Sequence, residues 1–150
     1  MRLAIKEAQK NLKNLDGGPF GACIVKGSQI LSVARNTVLK NDATCHAEIN
    51  AIRLASKKLN NFDLSGCVIY STTEPCPMCF SAIHWARIEA VAYGTSIQDV
   101  NNRGFNELRI TAAQLKRLGK SEVRVFPAFL RDECEGLLRK WDRLEDKKVY

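Results

Sequence analysis

Two clusters of metal-binding side chains stand thirty residues apart in this chain, Cys45-His46-Ala47-Glu48 and Glu74-Pro75-Cys76-Pro77-Met78-Cys79. Each stands where a helix is expected to begin. Cys76 and Cys79 are three residues apart, so their sulfurs share one face of a first helical turn, where unpaired backbone N–H groups favour thiolate. His46 is one of only two histidines and supplies a third ligand. One metal held by all three ties two helix starts together, and any fold for the chain has to bring those starts to one place. Thiolate and imidazole suit zinc, and three protein ligands leave a fourth position for water, as in catalytic rather than structural sites.

Glu48 lies two residues from His46, a rotation of ~200° on a regular helix. In mid-helix that would separate the two side chains. At a helix start both flanks can reach a metal and substrate lying off the end of the axis. Zinc lowers the pKa of a bound water to about 7, and a carboxylate beside it can take that proton and hand it to a leaving amine. A lone C-P-x-C would leave structural zinc and buried thiols equally open; with H-A-E upstream the pattern reads as a catalytic zinc with Glu48 as proton shuttle.

The 150 residues fit one ordinary domain, residues 1–150, with roughly two-thirds of the unfolded surface buried. A hydrophobic fraction of 45% and only four prolines exclude a disordered or low-complexity chain. No apolar run approaches the ~18 residues a bilayer span needs, and the charged amphipathic opening lacks a cleavage site, so a cytoplasmic protein without membrane contact is expected. The net charge of +7 could mark a nucleic-acid binder. Beyond residue 103, however, the basic residues alternate with acids, as on a solvated helical face. Without a secretion signal the C-P-M-C pair reads as metal-binding rather than as half of a disulfide frame, and Cys23, Cys67 and Cys134 read as core filler.

Apolar spacing predicts a helix over 2–13, then strands at 20–26 and 29–34 joined by the two-residue turn Gly27-Ser28. A helix over 44–59, a strand at 67–71, a helix over 76–87 opened by Pro75 and a strand at 90–93 follow. Helices over 108–118 and 126–145 flank a strand at 122–125. Strands alternating with helices after an opening hairpin imply an α/β fold with helices on both faces of a mixed sheet.

The pattern H-x-E…P-C-x-x-C is the signature of zinc nucleobase deaminases, and the chain resembles the cytidine deaminase superfamily over nearly its whole length. The resemblance runs through Gly17-Gly18-Pro19-Phe20-Gly21-Ala22, Asn36, both zinc motifs and Ala82-Ile83-His84-Trp85-Ala86-Arg87. Within the superfamily the first of these, Glu74–Cys79 and the ending Lys147-Lys148-Val149-Tyr150 look most like guanine deaminases and their guanosine deaminase relatives. The resemblance implies a three-layer αβα sandwich on a five-stranded mixed sheet, one zinc per chain on His46, Cys76 and Cys79, proton transfer by Glu48, and usually a homodimer. It implies that Asn36 and the backbone of Ala47 hydrogen-bond the base and that Phe20 and Trp85 line the pocket. It also implies that the tail, residues 146–150, crosses to the partner subunit, placing Tyr150 near the other chain's Trp85 or Phe20 to close the site. Where the family carries Gly-Phe-Asp-Asp, with the last Asp assisting proton transfer, this chain has Gly104-Phe105-Asn106-Glu107, so Glu107 is a longer replacement. Asn41-Asp42-Ala43-Thr44-Cys45 likewise stands before the histidine where Asp-Pro-Thr-Ala is usual, with the preceding loop one residue longer.

The expected reaction is hydrolytic deamination of a free purine base or nucleoside, guanine first. A tRNA-specific adenosine deaminase shares both motifs and suits a positive chain, although such enzymes usually carry Pro-Val-Gly-Ala in place of Pro19-Phe20-Gly21-Ala22. A silent zinc interaction module would have no use for Glu48. Among the remaining residues, Glu74 reads as structural, holding backbone donors. His84 reads as a packed or surface histidine, and Trp85 divides evenly between core and pocket wall.

Overall fold

The computed structural model describes residues 1–150. Helices α1 (Arg2–Ala8) and α2 (Asn11–Asn14) lead into the hairpin β1 (Gly21–Lys26) and β2 (Gln29–Arg35). The chain continues through α3 (Ala47–Leu59), β3 (Cys67–Thr73), α4 (Pro77–Trp85) and β4 (Ala90–Thr95). Short helices α5 (Ile97–Asn101) and α6 (Ala112–Leu118), strand β5 (Arg124–Phe126) and helix α7 (Arg131–Asp142) complete it. The five strands form one sheet in the order β2-β1-β3-β4-β5. Strand β1 is antiparallel to β2 and β3, whereas β4 is parallel to β3 and β5. Helices α1 and α7 cover one face and α3, α4 and α6 the other, a three-layer αβα sandwich.

Side-chain alternation divides each central strand between the two layers. Ala22 and Ile24 of β1 join Ala47, Ala51 and Ala55 of α3 in the main core. Three alanines at four-residue spacing line one helical face and let α3 lie close over the hairpin. On the opposite face Gly21 meets α1 so closely that a Cβ there would stand 2.1 Å from the Ala4 carbonyl oxygen. Strand β4 is buried along its whole length, with Val91 and Tyr93 in the main core and Gly94 against Cys134 of α7. Such an unbroken buried run is what an interior parallel strand between two helical layers requires.

The expected helix over 2–13 is two helices. The hydrogen bonds tighten to i→i−3 at Lys10, Leu12 and Lys13, and Asn11 turns fully inward there. Helices α3 and α4 start later than the expected 44 and 76, because His46 and Cys76 are N-caps with extended backbone, ψ 156° and 168°. Helix α5 went unforeseen, although Ser96 and Asp99 form a capping box, and Thr111 with Gln114 does the same for α6, which begins at Ala112 rather than 108. The last helix is shorter than 126–145. Strand β5 runs to Phe126, and positive φ at Ala128 (59°) and Leu130 (53°) keeps the chain out of helix until Arg131.

Candidate active site

The parallel pair β3 and β4 ends on one edge of the sheet, and the loops leaving that edge start α4 and α5. The start of α3 meets them there, since the side chains of His46 and Cys76 touch. An N-cap residue has non-helical backbone, so its side chain can reach off the helix end. His46 and Cys76 both occupy that position, and Cys79 follows one turn into α4. The candidate ligand atoms of His46, Cys76 and Cys79 lie within 4.8 Å of one another, with Cys76 Sγ and His46 Nδ1 3.7 Å apart. Sulfur and nitrogen donors on a tetrahedral zinc stand about 3.6 Å apart, from bonds of about 2.3 and 2.1 Å. The donor set and its spacing therefore fit zinc.

Glu48, in the first turn of α3, is 5% exposed. Ser71 Oγ donates to its Oε1 at 2.9 Å, and the Cys79 thiol stands 3.6 Å from its Oε2. The helix start thus does what mid-helix could not, sending His46 and Glu48 to one spot. Burial pushes the Glu48 carboxyl above its ordinary range, against the opposing pull of His46. Hydrogen bonding from its neighbour Cys79 brings the Cys76 thiol down to about 4 despite burial, and His46 adds to the effect. The same contact, with burial, drives Cys79 well above the usual thiol range. Burial alone would lower His46, but contact with Cys76 and the charge of Glu48 hold it up at about 9. A metal binds thiolate and neutral imidazole, so loading of this site releases the protons its ligands carry.

Phe20, Asn36, Thr73, Glu74 and Glu107 close a cavity around His46, Glu48 and Cys76. A continuing recess is bounded by Val38, Ala43, Asn106 and Tyr150. Burial raises the Glu107 carboxyl to about 7, and the negative charge of Cys76 adds to that. Asn36 is 1% exposed; its Oδ1 accepts from Val38 N at 3.0 Å and from the Tyr150 hydroxyl at 2.7 Å. That hydroxyl in turn accepts from Gly18 N at 2.9 Å. Phe105 stands edge-on between Tyr150 and Phe20, centroids 5.6 and 5.0 Å away.

In the single chain the tail folds over its own cavity, where the Tyr150 hydroxyl finds both of its partners. Trp85 does not line this cavity: it is 77% exposed at the far end of α4, about two turns beyond Cys79, beside His84. Ala47 is fully buried between His46 and Glu48 as the first residue of α3, so its N–H has no partner within the helix. His84 bonds Ser121 and stands outside the metal cluster. Glu74 holds backbone donors as expected, accepting from Ile97 N and Ala112 N.

Asn11 escaped the sequence reading. Fully buried, it donates through Nδ2 to the carbonyls of Gly18 and Asn36, both at 2.8 Å, and accepts from Arg35 Nε at 3.0 Å. Arg35 is clamped in turn by Glu7 and Asp16 at 3.0 and 2.7 Å. Gly17 completes this wall, since a Cβ there would stand 2.1 Å from Asn36 Oδ1. No pattern marks Asn11, a polar residue in a polar helix; its partners become visible only when the chain folds back.

Residues 1–95 match the family described as the cytidine and deoxycytidylate deaminase zinc-binding region. Guanine deaminase of Bacillus subtilis is 41% identical over 138 residues, 89% of this chain and 86% of that protein. The tRNA-specific adenosine deaminase of Buchnera aphidicola is 32% identical over 143 residues, 92% of this chain and 88% of that one. The structure of guanine deaminase from Nitrosomonas europaea matches with a TM-score of 0.84 at 28% identity, over 94% of this chain and 81% of that chain.

Proposed function

We infer that this chain, which belongs to the cytidine and deoxycytidylate deaminase family and is a hydrolytic deaminase, acts on a free purine base, guanine first, releasing ammonia and xanthine. The observation that carries the substrate is the tail. With Tyr150 bonded to Asn36 and Gly18, the recess beside Glu48 is roofed. A base fits under such a roof, whereas an RNA hairpin would have to displace it. The 41% identity to a guanine deaminase supports the same base.

His46, Cys76 and Cys79 would hold one zinc, which when bound supplies the Lewis acidity that makes water a nucleophile near neutral pH. Glu48 moves the protons. It takes one from the attacking water and delivers it to the exocyclic nitrogen, while the water's second proton ends on the ring nitrogen beside the attacked carbon, so the carbon–nitrogen bond breaks as ammonia leaves and the water oxygen stays as the new carbonyl. Its upward-shifted carboxyl suits a group that must gain and lose a proton within one turnover. Ser71 holds one Glu48 oxygen and so fixes the direction of the other. With its oxygen already engaged twice, Asn36 presents its amide N–H to an acceptor on the base. Glu107, near 7, exchanges a proton with a ring nitrogen, and Phe20 and Tyr150 keep bulk water out. We take residues 1–150 to be one catalytic domain that works as a homodimer in the cytoplasm, Trp85 standing out of the α4–α6 groove as a residue for a partner copy to cover.

A tRNA adenosine deaminase is the second reading, favoured by 32% identity across 92% of the chain. Ammonia release measured over guanine, guanosine, adenine, cytosine, cytidine and a tRNA anticodon stem-loop separates the two. Guanine is expected to be turned over fastest; deamination of the stem-loop alone would overturn the free-base assignment.

A further inference from the structure

We propose that Glu74 is a positioning residue whose carboxylate ties together the starts of the two helices that flank the loop carrying Glu107 into the cavity. The proposal rests on the role given above to Glu107 and adds the device that holds it there. Glu74 lies between β3 and α4, two residues before Cys76, and is 5% exposed. Its Oε2 accepts from the backbone N–H of Ile97, the first residue of α5, at 3.1 Å. Its Oε1 accepts from the N–H of Ala112, the first residue of α6, at 2.9 Å. The connection between those helices, residues 102–111, has no helix or strand of its own, and Glu107 is in its middle.

Both helices already carry capping boxes, which satisfy the N–H groups of the cap and of the third helical residue. The first-residue N–H is left over in each, and Glu74 takes both. A carboxylate is needed for this because it offers two acceptor oxygens and no donor; glutamine would turn an NH2 group toward one of the two N–H groups. The main chain of Glu74 is anchored as well, its N–H donating to Thr95 O at 2.8 Å at the end of β4.

The two halves of the loop differ in their other anchors. Phe105 is buried in the small cluster with Trp141, and Asn106 N donates to Tyr150 O at 3.0 Å, so the first half is held from the tail side. After Glu107 the chain lies at the surface: Leu108 is 65% and Ile110 41% exposed. On that side the bond from Ala112 to Glu74 is the buried tether. Glu74 therefore links the segment bearing Cys76 to the loop bearing Glu107, so one carboxylate sets the spacing between the metal-binding end and the second acid of the site.

The test is a double-variant cycle on zinc-loaded protein, run with whichever substrate of the ammonia panel is turned over fastest, so an error over guanine does not touch it. Glu74→Gln should lower kcat by about 10- to 100-fold, the cost of misplacing a reacting group by roughly an ångström, with zinc content unchanged. Glu107→Gln should also lower kcat. Adding Glu74→Gln to Glu107→Gln should then cost less than about threefold, because both changes remove the same contribution. Hydrogen exchange at the Ile97 and Ala112 amides should rise in Glu74→Gln. If that variant fails to fold, Glu74→Asp, which keeps the charge but cannot reach both amides, goes through the same cycle with the same expectation. Full additivity, or loss of zinc from the Glu74 variant, would overturn the proposal alone. A Glu107→Gln enzyme with full kcat would remove Glu107 from the mechanism and the proposal with it.

Discussion

Replacing Tyr150 with phenylalanine deletes one oxygen and with it two hydrogen bonds, to Asn36 Oδ1 at 2.7 Å and from Gly18 N at 2.9 Å. The ring contact with Phe105 and the bond from Asn106 N to Tyr150 O stay. Burial raises the phenol to about 12, so in the wild-type chain it remains a donor across any practical assay range. Each such bond contributes about 0.5–1.5 kcal/mol net. Losing both weakens the closed tail by roughly 1–3 kcal/mol, about 5- to 150-fold in the closing equilibrium. If the base reacts only under the closed tail, kcat/KM for guanine falls by up to that factor. Zinc content should not change, because the tail touches none of the three candidate ligands through these bonds. The melting temperature should move little, since Tyr150 packs only on the edge of the smaller cluster and can open without the main core. Steady-state kinetics of Tyr150→Phe on guanine, with metal analysis of the same preparation, is the measurement. Wild-type kcat/KM in this variant would refute both the roof and the argument that substrate size follows from it.

Glu48→Gln should keep fold and zinc but lose turnover by several orders of magnitude, because an amide cannot carry the proton; activity within tenfold of wild type would remove Glu48 from the reaction. Cys79→Ala should lose zinc on metal analysis and melt earlier, since the metal joins the starts of α3 and α4. Undiminished zinc in that variant would break the ligand assignment. Asn11→Ala leaves the buried Asn36 carbonyl without its donor and removes one of two donors from Gly18 O, which should cost roughly 2–4 kcal/mol in denaturant unfolding. An unchanged unfolding midpoint would show that the network is not structural.

Local signals were enough for most of the fold because each rests on a few adjacent residues. The hairpin followed from two apolar runs around Gly27-Ser28, and the buried strand β4 from an unbroken apolar stretch. Errors fell at element ends, where backbone conformation overrides side-chain spacing: extended caps at His46 and Cys76, positive φ at Ala128 and Leu130. The missed α5 had a readable Ser96-Ile97-Gln98-Asp99 capping box, outweighed by its shortness. At the site, the metal cluster was legible because His46, Cys76 and Cys79 are marked by spacing and by helix starts. Asn11 and Ser71 were not, since each acts through a partner more than twenty residues away in sequence. Trp85 stands away from the cavity of its own chain for a related reason. It shares a helix with Cys76 and Cys79, but that helix carries it away from the cavity.

The charge of the cavity bears on the substrate more directly than the charge of the chain. Much of the +7 excess lies outside the site, and Arg2, Lys10, Arg35, Arg87, Arg103, Arg124 and Arg131 are each paired with carboxylates. Around the recess the titratable side chains other than His46 are Glu48, Glu74, Glu107, Cys76 and the phenol of Tyr150, with no lysine or arginine among the lining residues. A phosphate within about 6–8 Å of one ionised carboxylate meets roughly 2–3 kcal/mol of repulsion at an effective dielectric constant near 20. A neutral base meets none. Guanosine monophosphate should therefore be a much poorer substrate than guanine, and because added salt screens repulsion, its kcat/KM should rise with ionic strength while that of guanine stays flat. Recognition of a polynucleotide runs the other way, since binding through phosphates weakens steeply as salt increases. Steady-state rates on guanine, guanosine monophosphate and a stem-loop RNA from 50 to 500 mM salt decide the matter: a nucleotide or RNA that outperforms guanine at low salt and loses that advantage at high salt would show that the surface cations, not the acidic cavity, choose the substrate.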